Sequence, residues 1–244
     1  MMKKFFIYTI GCLMMGLNTV AAQKYQNLWI TGSAVPGGVQ QLVKGGDGSF
    51  KYAGKLTEGE VRVMTTKKAG KNTVYLLPVM TDANIVNRGE IYQETTDGTK
   101  AAWQVSVTDD CYRFTVNPQT TKLRGEIFYP WGELFIAGGA TEVGWKCEGK
   151  MLLMKQDVNN PYVWTWEGEL KSHPEVEEPE SFKFQGQDRW SPKSIHPYKA
   201  DADILSDGQF RTGGDDTKWK ISKPGRYRIT VNLFYETVKA ELIK

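Results

Sequence analysis

Apolar and polar residues alternate along several short stretches of the chain, which is the pattern of strands buried on one face. In residues 227–233 the apolar side chains hold the odd positions and the polar ones the even positions. A return strand is predicted at 238–243, and a similar hairpin at 112–116 and 121–127. Clusters of Gly, Pro, Asn and Asp separate such stretches at intervals typical of a β-sandwich. No helical stripe of useful length competes, so the pattern predicts an all-β protein.

Four blocks of sequence occur twice in the same order, which indicates two diverged copies of one domain. Residues 28–34 are echoed by 134–140, 50–56 by 164–170, 99–103 by 217–219, and 112–117 by 227–232. We therefore predict one sandwich over 23–131 and a second over 132–244. Each copy has about 110 residues, an ordinary size for a single domain.

The first 22 residues have the composition of a cleaved secretory signal peptide. Lys3 and Lys4 precede an apolar stretch, and small side chains end it at Ala22. A lipoprotein is the alternative, with cleavage before Cys12 and a lipid anchor on that residue. The predicted location is therefore the outer-membrane surface, the periplasm or the medium. Removal of the two lysines lowers the net charge from +3 to +1.

Composition favours binding over catalysis. The chain has 8 Trp, 11 Tyr and 10 Phe but only 2 His and 3 Cys, which argues against Ser/His and Cys/His hydrolases. Its near-neutral charge calls for neither nucleic acid nor an acidic membrane surface as a partner. His173 and His196 each lie beside a proline without metal-ligand spacing, so we expect both in loops or at the surface. We predict no cofactor, no metal and no catalytic residue.

Two cysteines follow the signal peptide, Cys111 and Cys147, and they lie in different copies. A disulfide and two free thiols both remain open. The acidic run Glu175–Glu180 is interpreted as a solvated loop within the second copy.

The repeat also distinguishes aromatic residues present in both copies, which we call framework aromatics, from those present in the second copy alone. Trp164, Trp166 and Trp219 align with aromatic residues of the first copy, so we expect them to face the core. Trp145 and Trp190 follow or lie in loops and have no aromatic counterpart there. They are either a plug for the end of the sandwich or part of a binding surface.

Several motifs of the second copy occur in a characteristic order. They are residues 134–141, Gly144-Trp145, Phe182-Lys183-Phe184, Trp190, residues 217–221 and residues 225–231. Together they resemble the carboxy-terminal modules of the SusE and SusF type of starch-utilisation outer-membrane proteins, across the whole second copy and more weakly in the first. The resemblance implies immunoglobulin-like sandwiches without enzymatic activity that bind α-glucan at the cell surface through aromatic side chains.

A sugar-binding site needs flat aromatic faces with hydrogen-bonding groups at their edges, because sugar rings expose C–H faces and hydroxyls. Trp145 and Trp190 are the predicted stacking residues. Lys183 and Gln185 alternate with core phenylalanines, so they point away from the core, and Arg189 adjoins Trp190. These three are the predicted polar partners.

The first copy has Arg62 at the position of Lys183 but lacks both loop tryptophans. We therefore predict that it binds weakly or acts as a spacer.

Two other functions remain alternatives. The sandwiches could form a structural or assembly protein that contacts an outer-membrane partner such as a transport complex. A glycoside hydrolase is the third interpretation, since such an enzyme needs only two carboxylates at a suitable separation.

Overall fold

The computed structural model describes residues 24–243, so the predicted signal peptide and Cys12 lie outside the described residues. Every regular element in this range is a β-strand, which confirms the all-β prediction. The range accordingly has no helix that is long and apolar enough to cross a membrane.

Ten strands form the first half. They are β1 (Trp29–Thr31), β2 (Gln40–Gln41), β3 (Val43–Lys44), β4 (Phe50–Leu56), β5 (Gly59–Met64), β6 (Tyr75–Pro78), β7 (Asn87–Thr95), β8 (Trp103–Val105), β9 (Asp109–Asn117) and β10 (Lys122–Ile127). Their order across the sheet is β2-β1-β5-β6-β7-β10-β9-β4-β3, with β8 also paired to β5. The long strand β7 pairs with β6 through one end and with β10 through the other, so it joins two layers.

Eleven strands form the second half. They are β11 (Phe135–Ala137), β12 (Leu152–Leu153), β13 (Lys155–Gln156), β14 (Val163–Leu170), β15 (Ser181–Gln185), β16 (Ser194–Pro197), β17 (Ala202–Asp203), β18 (Phe210–Thr212), β19 (Trp219–Lys220), β20 (Gly225–Asn232) and β21 (Thr237–Leu242). One layer has the order β12-β11-β15-β16-β18, with β19 beside β15, and the other has the order β13-β14-β20-β21.

The strand register reproduces the sequence repeat. Phe50 pairs with Val116 in the first half, and Trp164 pairs with Val231 in the second. Arg62 lies opposite Thr31 just as Lys183 lies opposite Ala137, so the alignment of these two cations is confirmed. The repeated motifs therefore specify the same strand pairs in both halves.

A repeated tyrosine shows the same correspondence at the level of one hydrogen bond. The Tyr112 hydroxyl donates to the Val107 carbonyl at 2.7 Å, and the Tyr227 hydroxyl donates to the Lys223 carbonyl at 2.5 Å. Both tyrosines are at most 1% exposed. Each bond ties a core strand to the loop that precedes it and satisfies a buried hydroxyl.

The aromatic residues shared by both copies fill the space between the layers, as predicted. Trp164, Trp166 and Trp219 are buried in the second half, and their counterparts Phe50, Tyr52 and Trp103 are buried in the first. The two sets belong to separate hydrophobic clusters. Burial of such large rings is a main source of stability for small sandwiches.

Contacts join the two halves along one side. The Arg113 Nη1 donates to the Leu233 carbonyl at 2.6 Å, and the Lys51 ammonium contacts the Glu236 carboxylate. The Tyr162 hydroxyl lies 2.9 Å from the Cys111 thiol. Both Cys111 and Cys147 are free, so the disulfide alternative is not realised.

Candidate functional site

The outer face of β11, β15 and β16 holds most of the predicted site residues. Strand β15 alternates Phe182 and Phe184 inward with Lys183 and Gln185 outward. Phe184 pairs with Ile195, which places Lys183 beside His196 on the neighbouring strand. The prediction that Lys183 points away from the core is therefore correct. Loops cover this face, however, and Lys183 is only 7% exposed.

Trp145 and Trp190 meet above this outer face. Their ring centroids are 6.1 Å apart and the ring planes are inclined by 53°. Both side chains are partly exposed. Trp190 also packs against a small apolar cluster that includes Phe135 and Met151, separate from the main core. One side of the Trp190 ring is thus supported by the protein while part of the residue remains accessible.

The acidic loop fixes the orientation of Trp145. The indole Nε1 donates to the Glu177 carbonyl at 2.6 Å. The Glu177 and Glu178 side chains are exposed, as expected for a solvated loop. Its backbone nevertheless has a structural role, because a hydrogen-bonded indole has fewer accessible orientations than a free one.

Two ammonium groups lie close to the tryptophan rings. The Nζ of Lys183 is 4.9 Å from the Trp190 centroid, and the Nζ of Lys218 is 5.6 Å from the Trp145 centroid. Cations at such distances are attracted to the ring face. Asp216 connects them, since its carboxylate is 2.7 Å from Lys183 Nζ and 3.4 Å from Lys218 Nζ.

These contacts determine the charge states of the Asp216 and Lys218 side chains. Burial alone would raise the pKa of Asp216, but hydrogen bonds and charges from Lys183 and Lys218 outweigh it and lower the pKa. Burial would lower the pKa of Lys218, but Glu178 and Asp216 outweigh it and raise that pKa. The Asp216 carboxylate and the Lys218 ammonium are therefore both charged at neutral pH.

His196 is where the sequence-based expectation was wrong. It lies within β16 and is 4% exposed, whereas a loop or surface position was predicted from the adjacent proline. His173 does lie in a loop. The His196 Nδ1 is 2.9 Å from the Thr217 carbonyl, which can only accept, so we assign the proton to Nδ1. Alternation explains the burial, since Ile195 faces the core and His196 faces the loops that cover the outer sheet face.

We expect the pKa of His196 to lie below the usual value. Burial is the largest cause, and the nearby Lys183 and Arg211 charges add to it, against the Thr217 hydrogen bond and Asp216. Because the folded pKa is depressed, the neutral imidazole favours folding above about pH 6.5, and that contribution is lost as pH falls. An NMR titration of His173→Gln follows His196 alone, since the chain has two histidines. A His196 pKa above the ordinary histidine value would contradict the assignment.

Gln185 and Arg189 differ sharply in accessibility. Gln185 is fully buried, and its Oε1 accepts a hydrogen bond from the Ser194 hydroxyl at 2.6 Å. Its Oε1 also accepts from Gln187 Nε2 at 3.3 Å, so Gln185 supports the loop before β16 and does not reach the surface where a ligand could lie. Arg189 is exposed within that loop, beside Trp190. Of the predicted polar partners, only Arg189 is therefore fully accessible.

The equivalent face of the first half is built differently. Arg62 donates to the Gly98 carbonyl at 2.7 Å and pairs with Glu60 at 2.8 Å. Val39, which aligns with Trp145, is 38% exposed. No tryptophan pair is formed on that face by the residues that the structure describes. The proposed spacer or weak-binding role of the first copy stays a prediction.

Sequence reasoning missed Asp216, Lys218 and His196 as members of this cluster. Lys218 precedes the buried Trp219, so alternation could have placed it outward. No sequence pattern could have predicted the contact between Asp216 and Lys183, because Asp216 lies in a loop 33 positions away along the chain. Residues 24–243 hold no group of three or more His, Cys, Asp or Glu side chains arranged to bind a metal.

A comparison with solved structures matches SusF from Bacteroides thetaiotaomicron at 11% sequence identity and a TM-score of 0.39. The match covers 91% of this chain and 50% of that chain, so this chain spans about half the length of that structure. No protein-family model and no curated protein matches the chain. At this identity and TM-score, the similarity does not establish a shared function.

Proposed function

We propose that the second sandwich binds a polysaccharide chain on the outer face of β11, β15 and β16 without modifying it. The supporting observation is the pair of partly exposed rings, Trp145 and Trp190, with centroids 6.1 Å apart. Large apolar rings held at the surface by hydrogen bonding and packing offer binding area at a small entropic cost. Each ring can stack on the C–H face of one sugar unit.

The inclination of the rings favours a chain that turns. Coplanar rings suit a flat, extended glucan, whereas rings inclined by 53° suit successive sugar faces that rotate along the chain. An α-glucan coils in this way, which agrees with the ligand implied by the sequence resemblance. We therefore propose α-glucan as the ligand class.

The remaining site residues have distinct proposed roles. Arg189, exposed beside Trp190, donates hydrogen bonds to sugar hydroxyls. Lys183 holds Trp190 from beneath and is itself held by Asp216. Gln185 acts by supporting the loop. Following the sequence resemblance, we propose that the exported protein acts at the cell surface with an outer-membrane transport complex.

Affinity electrophoresis in gels containing amylopectin tests the proposal. We expect the protein to be retarded and its tryptophan fluorescence to be quenched by the glycan. Trp145→Ala and Trp190→Ala are each expected to weaken binding about tenfold or more, since a central aromatic anchor is typically worth more than about 1 kcal/mol.

Trp29→Ala is the matched control, because Trp29 is a partly exposed tryptophan on the first sandwich. It should bind as the parent does. Trp190 also has packing contacts, so a thermal melt must show that its variant is folded, while Trp145→Ala tests the same surface with less disturbance. Parent-like retardation of both folded variants, or no retardation by any glycan in a broad panel, would exclude the proposal.

A further inference from the structure

A groove of about 550 Å³ lies between the two sandwiches, within the volume range of ordinary ligand sites. Its floor is the outer face of β4, β9 and β10 in the first sandwich. Its wall is formed by residues 192–193, 211–214 and 234–236 of the second. Neither Trp145 nor Trp190 lines it, so the groove is separate from the site proposed above.

Positive charge is concentrated in this groove. Seven Lys or Arg residues and three carboxylates line it, an excess of four positive charges, whereas the entire chain carries +3. The cations are Lys51, Arg88, Arg113, Lys122, Arg124, Lys193 and Arg211. A cleft lined by one sign of charge focuses the field and attracts ligands of the opposite sign.

Some of these cations are already engaged within the protein. Lys51 contacts Glu236, and Arg113 pairs with Glu126 at 2.5 Å. Arg211 donates to the Gly213 carbonyl at 2.7 Å. Their charges hold the groove walls together and contribute little free binding capacity.

Four cations of the groove are exposed, and none of them forms an ion pair with another residue of 24–243. They are Arg88, Lys122, Arg124 and Lys193. Lys122 and Arg124 project from the same face of β10, because the intervening Leu123 is buried. Two positions along a strand are about 7 Å apart, so these two charges form a row. Arg88, on β7 beside this floor, and Lys193, on the opposite wall, complete the set.

Sugar-compatible groups lie between these charges. Arg124 pairs with Thr115 and Lys122 pairs with Asn117 on β9, so a hydroxyl and an amide adjoin the cations. On the wall, Tyr235 is 59% exposed. Trp131 lies beneath the groove as part of the core, with Lys193 Nζ at 5.8 Å from its ring centroid. Cations, hydroxyl partners and one exposed aromatic ring thus occur together.

We propose that this groove is a second binding site, which takes a segment of an acidic polysaccharide bearing carboxylate or sulfate groups. The exposed cations bind the acidic groups, Thr115 and Asn117 bind hydroxyls, and Tyr235 contacts a sugar face. An acidic peptide would engage the cations but has no comparable use for the aromatic and hydroxyl groups. The site does not depend on the Trp145 and Trp190 surface.

Binding of polygalacturonate, which carries only carboxylates, and of carrageenan, which carries only sulfates, to the full chain tests the proposal and separates the carboxylate from the sulfate ligand. We expect at least one to bind, with an affinity that falls as salt rises. The double variant Lys122→Gln with Arg124→Gln should weaken that binding about tenfold. Lys67→Gln with Lys68→Gln, an equal change at two exposed lysines outside the groove, should leave it unchanged.

Three results would overturn this inference. They are no binding of either polymer, equal loss in the two double variants, and binding of polyglutamate as tight as that of the polysaccharides. Trp145→Ala should retain acidic-polysaccharide binding while losing amylopectin binding. This variant therefore distinguishes failure of the groove site from failure of the proposed α-glucan site.

Discussion

Gly138→Ala is expected to destabilise the second half of the protein by about 3 kcal/mol or more, among the larger effects of a single substitution. Gly138 directly follows β11 with a φ of 157°, and a Cβ there would overlap the Phe182 backbone. The overlap is with main chain in the neighbouring strand, so a change of side-chain rotamer cannot relieve it. The two strands must separate, which opens the core beneath the site. Urea unfolding followed by tryptophan fluorescence measures the loss.

Two other glycines provide comparison variants for this prediction, one as a control and one as the equivalent position in the first copy. Gly132 has no heavy atom within 4 Å of a Cβ built on it, so Gly132→Ala should leave stability nearly unchanged. Gly32 is the counterpart of Gly138 in the first copy, with a φ of 132° and a Cβ that would overlap the Glu60 carbonyl. Gly32→Ala should therefore destabilise the first half in the same way. A Gly138→Ala variant as stable as Gly132→Ala would show that the close strand approach is not required.

Asp216→Asn is expected to cost about 2 kcal/mol of stability, while Lys183→Met should cost no more than about 1 kcal/mol. The Lys183 side chain is 9% exposed and that of Asp216 is 57% exposed. Loss of Asp216 leaves the buried Lys183 ammonium without its counterion. Loss of Lys183 leaves a carboxylate that water and Lys218 still stabilise. The cost stays below that of a fully buried pair because Asp216 is largely in solvent.

Asp215→Asn is the control, since Asp215 is exposed and adjacent and the variant changes the net charge equally. Its stability in urea unfolding should match that of the parent. If Lys183→Met were instead more destabilising than Asp216→Asn, the cation itself would be contributing packing or ring contacts that outweigh its desolvation. The shift of the fluorescence maximum on Lys183→Met, compared between the parent and a Trp190→Phe background, provides a second readout, because Lys183 lies over that ring and the chain has 8 Trp.

Much of the fold was accessible from the sequence because sandwiches repeat simple patterns. The alternation in 227–233 corresponds to β20, whose odd positions are buried. The repeat correctly placed Trp164, Trp166 and Trp219 in the core and aligned Arg62 with Lys183. These inferences succeed because the face that a strand residue occupies follows from its alternation with the neighbouring residues in the chain. The alternation and the repeated aromatic positions can therefore both be read from short stretches of sequence.

The candidate site was only partly accessible in this way. The choice of Trp145 and Trp190 from the loops of one copy led to two residues that the fold brings to a centroid separation of 6.1 Å. Gln185, chosen by the same alternation that placed Lys183, is instead buried beneath a loop. Alternation identifies the face of a sheet that a side chain occupies, but it carries no information on whether loops cover that face.

The sequence by itself determined the strand faces, the repeated framework and the aromatic residues that the framework does not need. Only the tertiary structure decided that Lys183 is a buried cation paired with Asp216, that His196 is buried, and that positive charge collects in the groove between the two halves. The physical reason is the sequence distance over which the different interactions act. Periodicity and turn chemistry act over a few residues, whereas burial by loops and the pairing of charges depend on segments that meet only after folding.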